Sequence, residues 1–134
     1  MKRRPLVQFV AVAAIAVCGA TVMALVVDRA PEAEKGTIVG EVIDIGNYAM
    51  KGEHGEVHAA AGLHRLGQGF PVGILEEGTD RVYVAIYRQP VPAAALQTAN
   101  AALTPYMGKK VVIQGLKYHA VGINLVNIGI VSEY

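Results

Sequence analysis

RVYVAIYRQPVPAAALQTANAALTPYMGKKVVIQGLKY, Arg81 to Tyr118, carries the pattern on which the fold turns. Its flanks, Arg81–Tyr87 and Lys109–Tyr118, are rich in β-branched and aromatic residues, which suit a pleated surface and predict strands. Between them RQPVP breaks the alternation, and AAALQTANAAL, Ala93 to Leu103, predicts a helix of about three turns. Strand, helix and strand therefore follow one another.

Working outward, TIVGEVIDI, Thr37 to Ile45, predicts a first strand, and the glycine- and charge-rich NYAMKGEHGE predicts a loop. VHAAAGLHRLGQG, Val57 to Gly69, predicts a short Ala-rich helix ended by glycine. FPVGIL, Phe70 to Leu75, is a second strand, joined through the turn signal EEGTD to the strand at Arg81. Beyond Tyr118, HAVG supplies a turn and INLVNIGIVSEY a fifth strand. Five strands with a helix between the third and fourth is the order of an OB-fold, a small Greek-key barrel. The expected domain is therefore mainly β with short helices, a five-stranded OB-fold-like barrel with a helical insertion after its first strand. An open antiparallel sheet with two helices on one face is the rival. Gly40, Gly73, Gly115 and Gly129 fall inside strands, which fits the bends and bulges of a small barrel.

Upstream, residues 1–5 form a basic tail with Lys2, Arg3 and Arg4, and 6–27 form an uncharged apolar run of 22 residues. A helix rising ~1.5 Å per residue would carry that run across a hydrocarbon core of ~30 Å. The positive-inside bias places the tail in the cytoplasm and the remainder outside. The expected location is a bacterial inner membrane, single-pass, with the domain in the periplasm or outside. A signal peptide cleaved after Ala24, or lipidation at Cys18, are alternatives; the run exceeds a usual signal core of ~7–15 residues. Residues 28–36, DRAPEAEKG, read as a polar linker, and 37–134 as the extracytoplasmic domain.

Subtracting the three N-terminal cations leaves nine basic residues against 11 acidic ones over 28–134. No basic run beyond Lys109-Lys110 exists there, so nucleic acid is not an expected partner. The single cysteine, Cys18, lies in the apolar run, so the domain has no disulfide and must rely on its core.

The histidines are the first candidates for chemistry. His54, His58 and His64 fall within eleven positions, and His119 lies in the last hairpin. As metal or haem ligands at least two must converge; as polar residues around a surface helix they need not. Asp44 with Asn47 and Tyr48 could close a pocket at the end of the first strand, while Glu53, Glu56, Glu76 and Glu77 fall in expected loops. Tyr83 and Tyr87 share one face of the third strand, and with Tyr118 they could grip a peptide or glycan or simply pack. No nucleophile elbow, P-loop or Ser-His-Asp spacing occurs, so neither an enzyme nor a cofactor is expected.

Gly40-Glu41-Val42, Asp44, Tyr48, His58 and Gly69-Phe70-Pro71-Val72-Gly73 resemble a family of small exported bacterial domains of OB-like character. Its members read roughly G-E-V-x-D-x-x-C-Y, then H-x-x-C-x-x-x-C, then G-x-P-V-G. The resemblance implies a metal or redox site, yet Asn47, Ala61 and Arg65 occupy the three cysteine positions and only His58 remains. This is the pattern of a relative that kept the fold and dropped the soft-ligand chemistry. An anchor followed by a small barrel is also similar to membrane-tethered haem chaperones of cytochrome c maturation. Their H-x-x-x-Y setting is absent, since Ala-Val-Gly-Ile follows His119.

The expected function is a non-enzymatic accessory subunit. Its segment 6–27 would sit in the lipid bilayer, with small residues such as Ala13, Ala16 and Gly19 permitting close helix packing. Its domain would brace integral membrane subunits of a respiratory or photosynthetic complex. PVGIL, VPAAAL and INLVNIGIV supply more apolar side chains than a small domain readily buries. A metal or haem carrier using the His54, His58 and His64 region, and a peptide- or glycan-binding module, are the alternatives.

Overall fold

The computed structural model describes residues 32–87 and 92–134. The basic tail, the apolar segment 6–27 and the start of the linker lie outside the described residues, as does most of the RQPVP break. Among the described residues no helix is long and apolar enough to cross a membrane.

Five strands close into a barrel: β1 (Ala33–Asp44), β2 (Val72–Glu76), β3 (Val82–Ile86), β4 (Lys110–Ala120) and β5 (Ile123–Glu133). Around the barrel the order is β1-β2-β3-β5-β4, with every pairing antiparallel except β3 with β5. This closed topology fits the OB-fold-like expectation and rules out the open sheet. Three helices accompany it: α1 (Ile45–Lys51), α2 (Ala59–Gly67) and α3 (Pro92–Leu103).

The core follows period-two alternation. Ile38 and Val42 from β1, Val72 and Ile74 from β2, Tyr83 and Ala85 from β3, Val111 and Ile113 from β4, and Val126 and Ile128 from β5 all point inward. Leu66 of α2, Met107, and Ala99 and Leu103 of α3 complete the cluster. Ala95, Ala99 and Leu103 recur every four residues, so α3 buries one narrow small-residue face against the barrel. Asn100 on α3 is buried and fully used: it donates to the Phe70 carbonyl at 2.8 Å and accepts from Val72 N–H at 3.2 Å, fixing the start of β2.

β1 serves two neighbours. Gly40 pairs with Val111 of β4 on one side and Glu76 of β2 on the other. The Leu75 carbonyl lies where a Cβ on Gly40 would sit, so only glycine admits this close approach.

Two segments differ from the sequence expectation. β1 starts at Ala33, four residues before Thr37, because Ala33–Gly36 continue the β4 ladder opposite Tyr118–Gly115. Residues 45–51 form α1, where Ile45 was expected to end the first strand and 47–51 to lie in a loop; Asp44 caps its first turn and Gly52, at φ 70°, ends it. Of the two readings of Tyr83 and Tyr87, the structure bears out packing, since the face they share is the inner one. Tyr83 is fully buried and Tyr87 packs against the core, which removes them from any exposed binding platform.

Introducing a methyl group at the crossing point, Gly40→Ala, should lower unfolding stability by about 1–3 kcal/mol. Ile74→Ala, which empties a fully buried position, should cost about 2–5 kcal/mol. Urea unfolding followed by circular dichroism reads both.

Candidate functional site

Asp44 closes β1 and opens the insertion that follows. Its buried carboxylate accepts the Gly46 N–H at 3.0 Å and the Arg65 Nε–H at 2.6 Å, the latter from α2. Arg65 also lies 3.8 Å from the centre of the Phe70 ring, so its guanidinium is gripped by a charge and an aromatic face. One carboxylate thus joins the ends of β1, α1 and α2.

A narrow cleft lies between the end of β1 and this insertion, lined by Glu41, Asp44, Asn47, Glu53, His54 and His58, with Gly62, Met107 and Gly108 at its back. Glu41 accepts the Gly55 N–H and faces His54 Nδ1 at 3.1 Å. Glu53 stands 3.9 Å from His58 Nδ1 and 3.8 Å from Lys51 Nζ. The Tyr48 ring meets His54 edge-on at 6.0 Å. Asp44 and Asn47 therefore share a pocket as expected, whereas Tyr48 stacks beside His54. The cleft encloses about 10 Å³, room for about one water and no substrate.

The four histidines separate into three places. His54 and His58 share the cleft; His64 is exposed on α2, within 3.2 Å of Gln68. His119 lies at the opposite end of the barrel, 2.9 Å from Asn124 Oδ1 and edge-on to the Tyr83 ring at 5.6 Å. Among the described residues no three His, Cys, Asp or Glu side chains are disposed to hold a metal ion. Of the positions that the family resemblance assigns to cysteine, Asn47 lines the cleft, Arg65 is committed to Asp44, and Ala61 is exposed.

Several of these partnerships escaped the sequence reading. Glu41 interrupts the apolar strand TIVGEVIDI, and that placement was the available signal of a structural role. Nothing in the spacing pairs Asp44 with Arg65, 21 residues on.

A second feature lies on the outside of the barrel. Ile86, Tyr118, Ala120, Ile123, Leu125 and Asn127 line a shallow concavity of about 450 Å³. Gly36, Gln114, Gly115, Leu116, Gly129 and Ile130, with Lys35 and Thr37, line another of about 500 Å³. The two meet where Leu116 pairs with Asn127, and no carboxylate lines either. A β-bulge builds this face. Gly115 pairs with Ile128 but Gln114 with Ile130, so Gly129 is an extra residue that reverses the parity of β5. Ile128 consequently points inward, Ile130 outward at 63% exposure, and Val131 packs back on the core.

At the edge of the barrel Lys110 donates to Glu77 at 2.6 Å, and that hydrogen bond raises the lysine pKa. Arg81 likewise donates to the Tyr83 hydroxyl at 3.3 Å, which raises its own pKa.

Comparison with protein-family models, with curated proteins and with solved structures found no match.

Asp44→Ala removes both the α1 cap and the counter-charge of Arg65, and should cost about 2–4 kcal/mol. Glu53→Gln loosens only long, partly exposed ion pairs and should stay within about 0.5 kcal/mol. Thermal and urea unfolding of both variants check the contrast.

Proposed function

We propose that this chain is a membrane-anchored, non-enzymatic accessory subunit of the bacterial inner membrane. The apolar segment Leu6–Val27 holds it in the bilayer, and the barrel braces the extracytoplasmic face of a larger membrane complex, respiratory or photosynthetic in kind. The observation that carries this reading is the continuous, carboxylate-free outer face of β4 and β5. Its side chains (Tyr118, Leu125, Ile130) are those that protein interfaces bury. The polar cleft supports the same reading from the other side. Its carboxylates Glu41 and Asp44 are occupied in tying the insertion to the barrel, and it encloses space for about one water.

The carrier alternative draws on one observation, that His54 and His58 line the same cleft. Both imidazoles face carboxylates there, an arrangement that holds loops together without a metal.

A tagged full-length chain purified from its native membrane in mild detergent should bring down stoichiometric membrane proteins. Leu125→Lys, which places a charge in the outer face, should lose them while keeping the same unfolding midpoint. A chain that comes down alone with stoichiometric metal or haem, lost in His58→Ala, overturns the accessory reading in favour of the carrier.

A further inference from the structure

The described chain enters the barrel at the same end as the β4–β5 turn. Ala33, the first residue of β1, pairs with Tyr118, and the turn begins two residues later at Ala120. Five residues lie between Val27, the last of the apolar run, and Ala33, a span of at most about 22 Å when fully extended. If that run is held in a bilayer, the chain length keeps Ala33, at the turn's end of the barrel, within that reach of it.

The turn itself is unusual for an aqueous surface. Ala120 pairs with Ile123, which leaves the two-residue loop Val121-Gly122, with Gly122 at φ 78°. Two-residue hairpin loops ordinarily carry Asn, Asp or Gly, residues that tolerate the geometry and satisfy water. Here the first loop position is a valine at 104% exposure, followed after the glycine by Ile123 at 60%. No interaction within the fold accounts for a fully exposed Val121. Tyr118 stands half-buried just behind them, an amphipathic ring at the level where interfacial aromatics sit.

From Val111 to Ser132 there is no acidic residue. Around this end of the barrel Lys35, Lys117 and Arg81 stand with Glu32, Glu34, Glu77 and Asp80, the last two from the β2–β3 turn, so its charge is mixed. The other end, where β1 finishes, exposes Met50 and Val57 among Lys51, Glu53 and Glu56. The turn combines exposed apolar side chains with closeness to the point where the described chain enters the barrel.

We propose that the β4–β5 turn, Ala120 to Ile123, is a lipid-contact element that seats Val121 and Ile123 in the headgroup layer of the bilayer. Anchor and turn then give the barrel two attachments to one surface, which fixes its standing orientation and turns the flank of β4 and β5 toward neighbouring subunits. Ala120 and Ile123 form the margin between the turn and that flank, so the lipid and protein contacts adjoin there. This inference rests on the anchored reading of residues 6–27.

The chain contains no tryptophan, so a single introduced indole reports on its own surroundings. Full-length Val121→Trp, Ile123→Trp and Val57→Trp would each be reconstituted into vesicles of phosphatidylcholine and phosphatidylglycerol. The vesicles would be washed with alkaline carbonate and compared with and without phosphatidylcholine brominated high on its acyl chains. Val57, 88% exposed at the opposite end, is the reference. The expected result is retention of all three, blue-shifted emission at positions 121 and 123, and quenching there several-fold stronger than at 57. Retention with unquenched indoles at 121 and 123, or with equal quenching at 57, overturns the lipid contact and leaves the anchor standing. A blue shift without quenching that appears only in the native complex assigns the turn to a protein partner, and overturns the lipid contact equally. Release of the chain by carbonate overturns the anchored reading, and the inference with it.

Discussion

The barrel closes because β1 can bend at Gly40 and present one residue to two neighbours. Gly40 pairs with Val111 and Glu76 at once, and the Leu75 carbonyl occupies the volume any side chain there would need. The lower half of β1 can then run along β4 while its upper half joins β2. That turn carries Ile38 and Val42, two residues to either side of it, to the same interior. Closure matters in a domain that has no disulfide to support it, because it leaves no long unpaired sheet edge.

With the sheet closed, the remaining question for each polar group is what it satisfies. Asp44 gathers the ends of β1, α1 and α2; Asn100 fixes β2 to α3; Glu41 holds the loop at Gly55. These side chains look like candidates for chemistry when read by type, yet each is committed to holding backbone or a counter-charge. The cleft they line is the seam between an insertion and its barrel. The outer face of β4 and β5 carries exposed apolar side chains that the fold leaves uncovered, and a single bulge residue adds Ile130 to it. Without Gly129 as an extra residue, the alternation of β5 would carry Ile130 inward and leave Val131 outside.

On the reading proposed above, with the domain tethered to a bilayer by a short linker, an apolar flank and an apolar turn would suit an assembly confined near a membrane. There the tether limits how far the domain strays and so raises the local concentration of its neighbours. Weak contacts suffice under those conditions, which fits shallow concavities better than it would fit a freely diffusing binder.

The sequence by itself determined the strands and the helix between the third and fourth, because alternation and turn residues are local properties of the chain, whereas closure into a barrel rather than an open sheet was decided by the tertiary structure. The sequence also marked the apolar run 6–27 and the lack of a familiar catalytic motif. α1 was encoded too, in the cap Asp44 and the stop Gly52, but a seven-residue segment containing glycine and asparagine has too little helical preference to stand out. What only the tertiary structure decided was pairing at long range. It set which face of β3 turned inward and so buried Tyr83, gave Asp44 the partner Arg65, and divided His54 and His58 from His64 and His119. The physical reason is that a side chain's role depends on what the closed sheet and its bulge bring opposite to it. One residue of register inverts that role without changing any residue type.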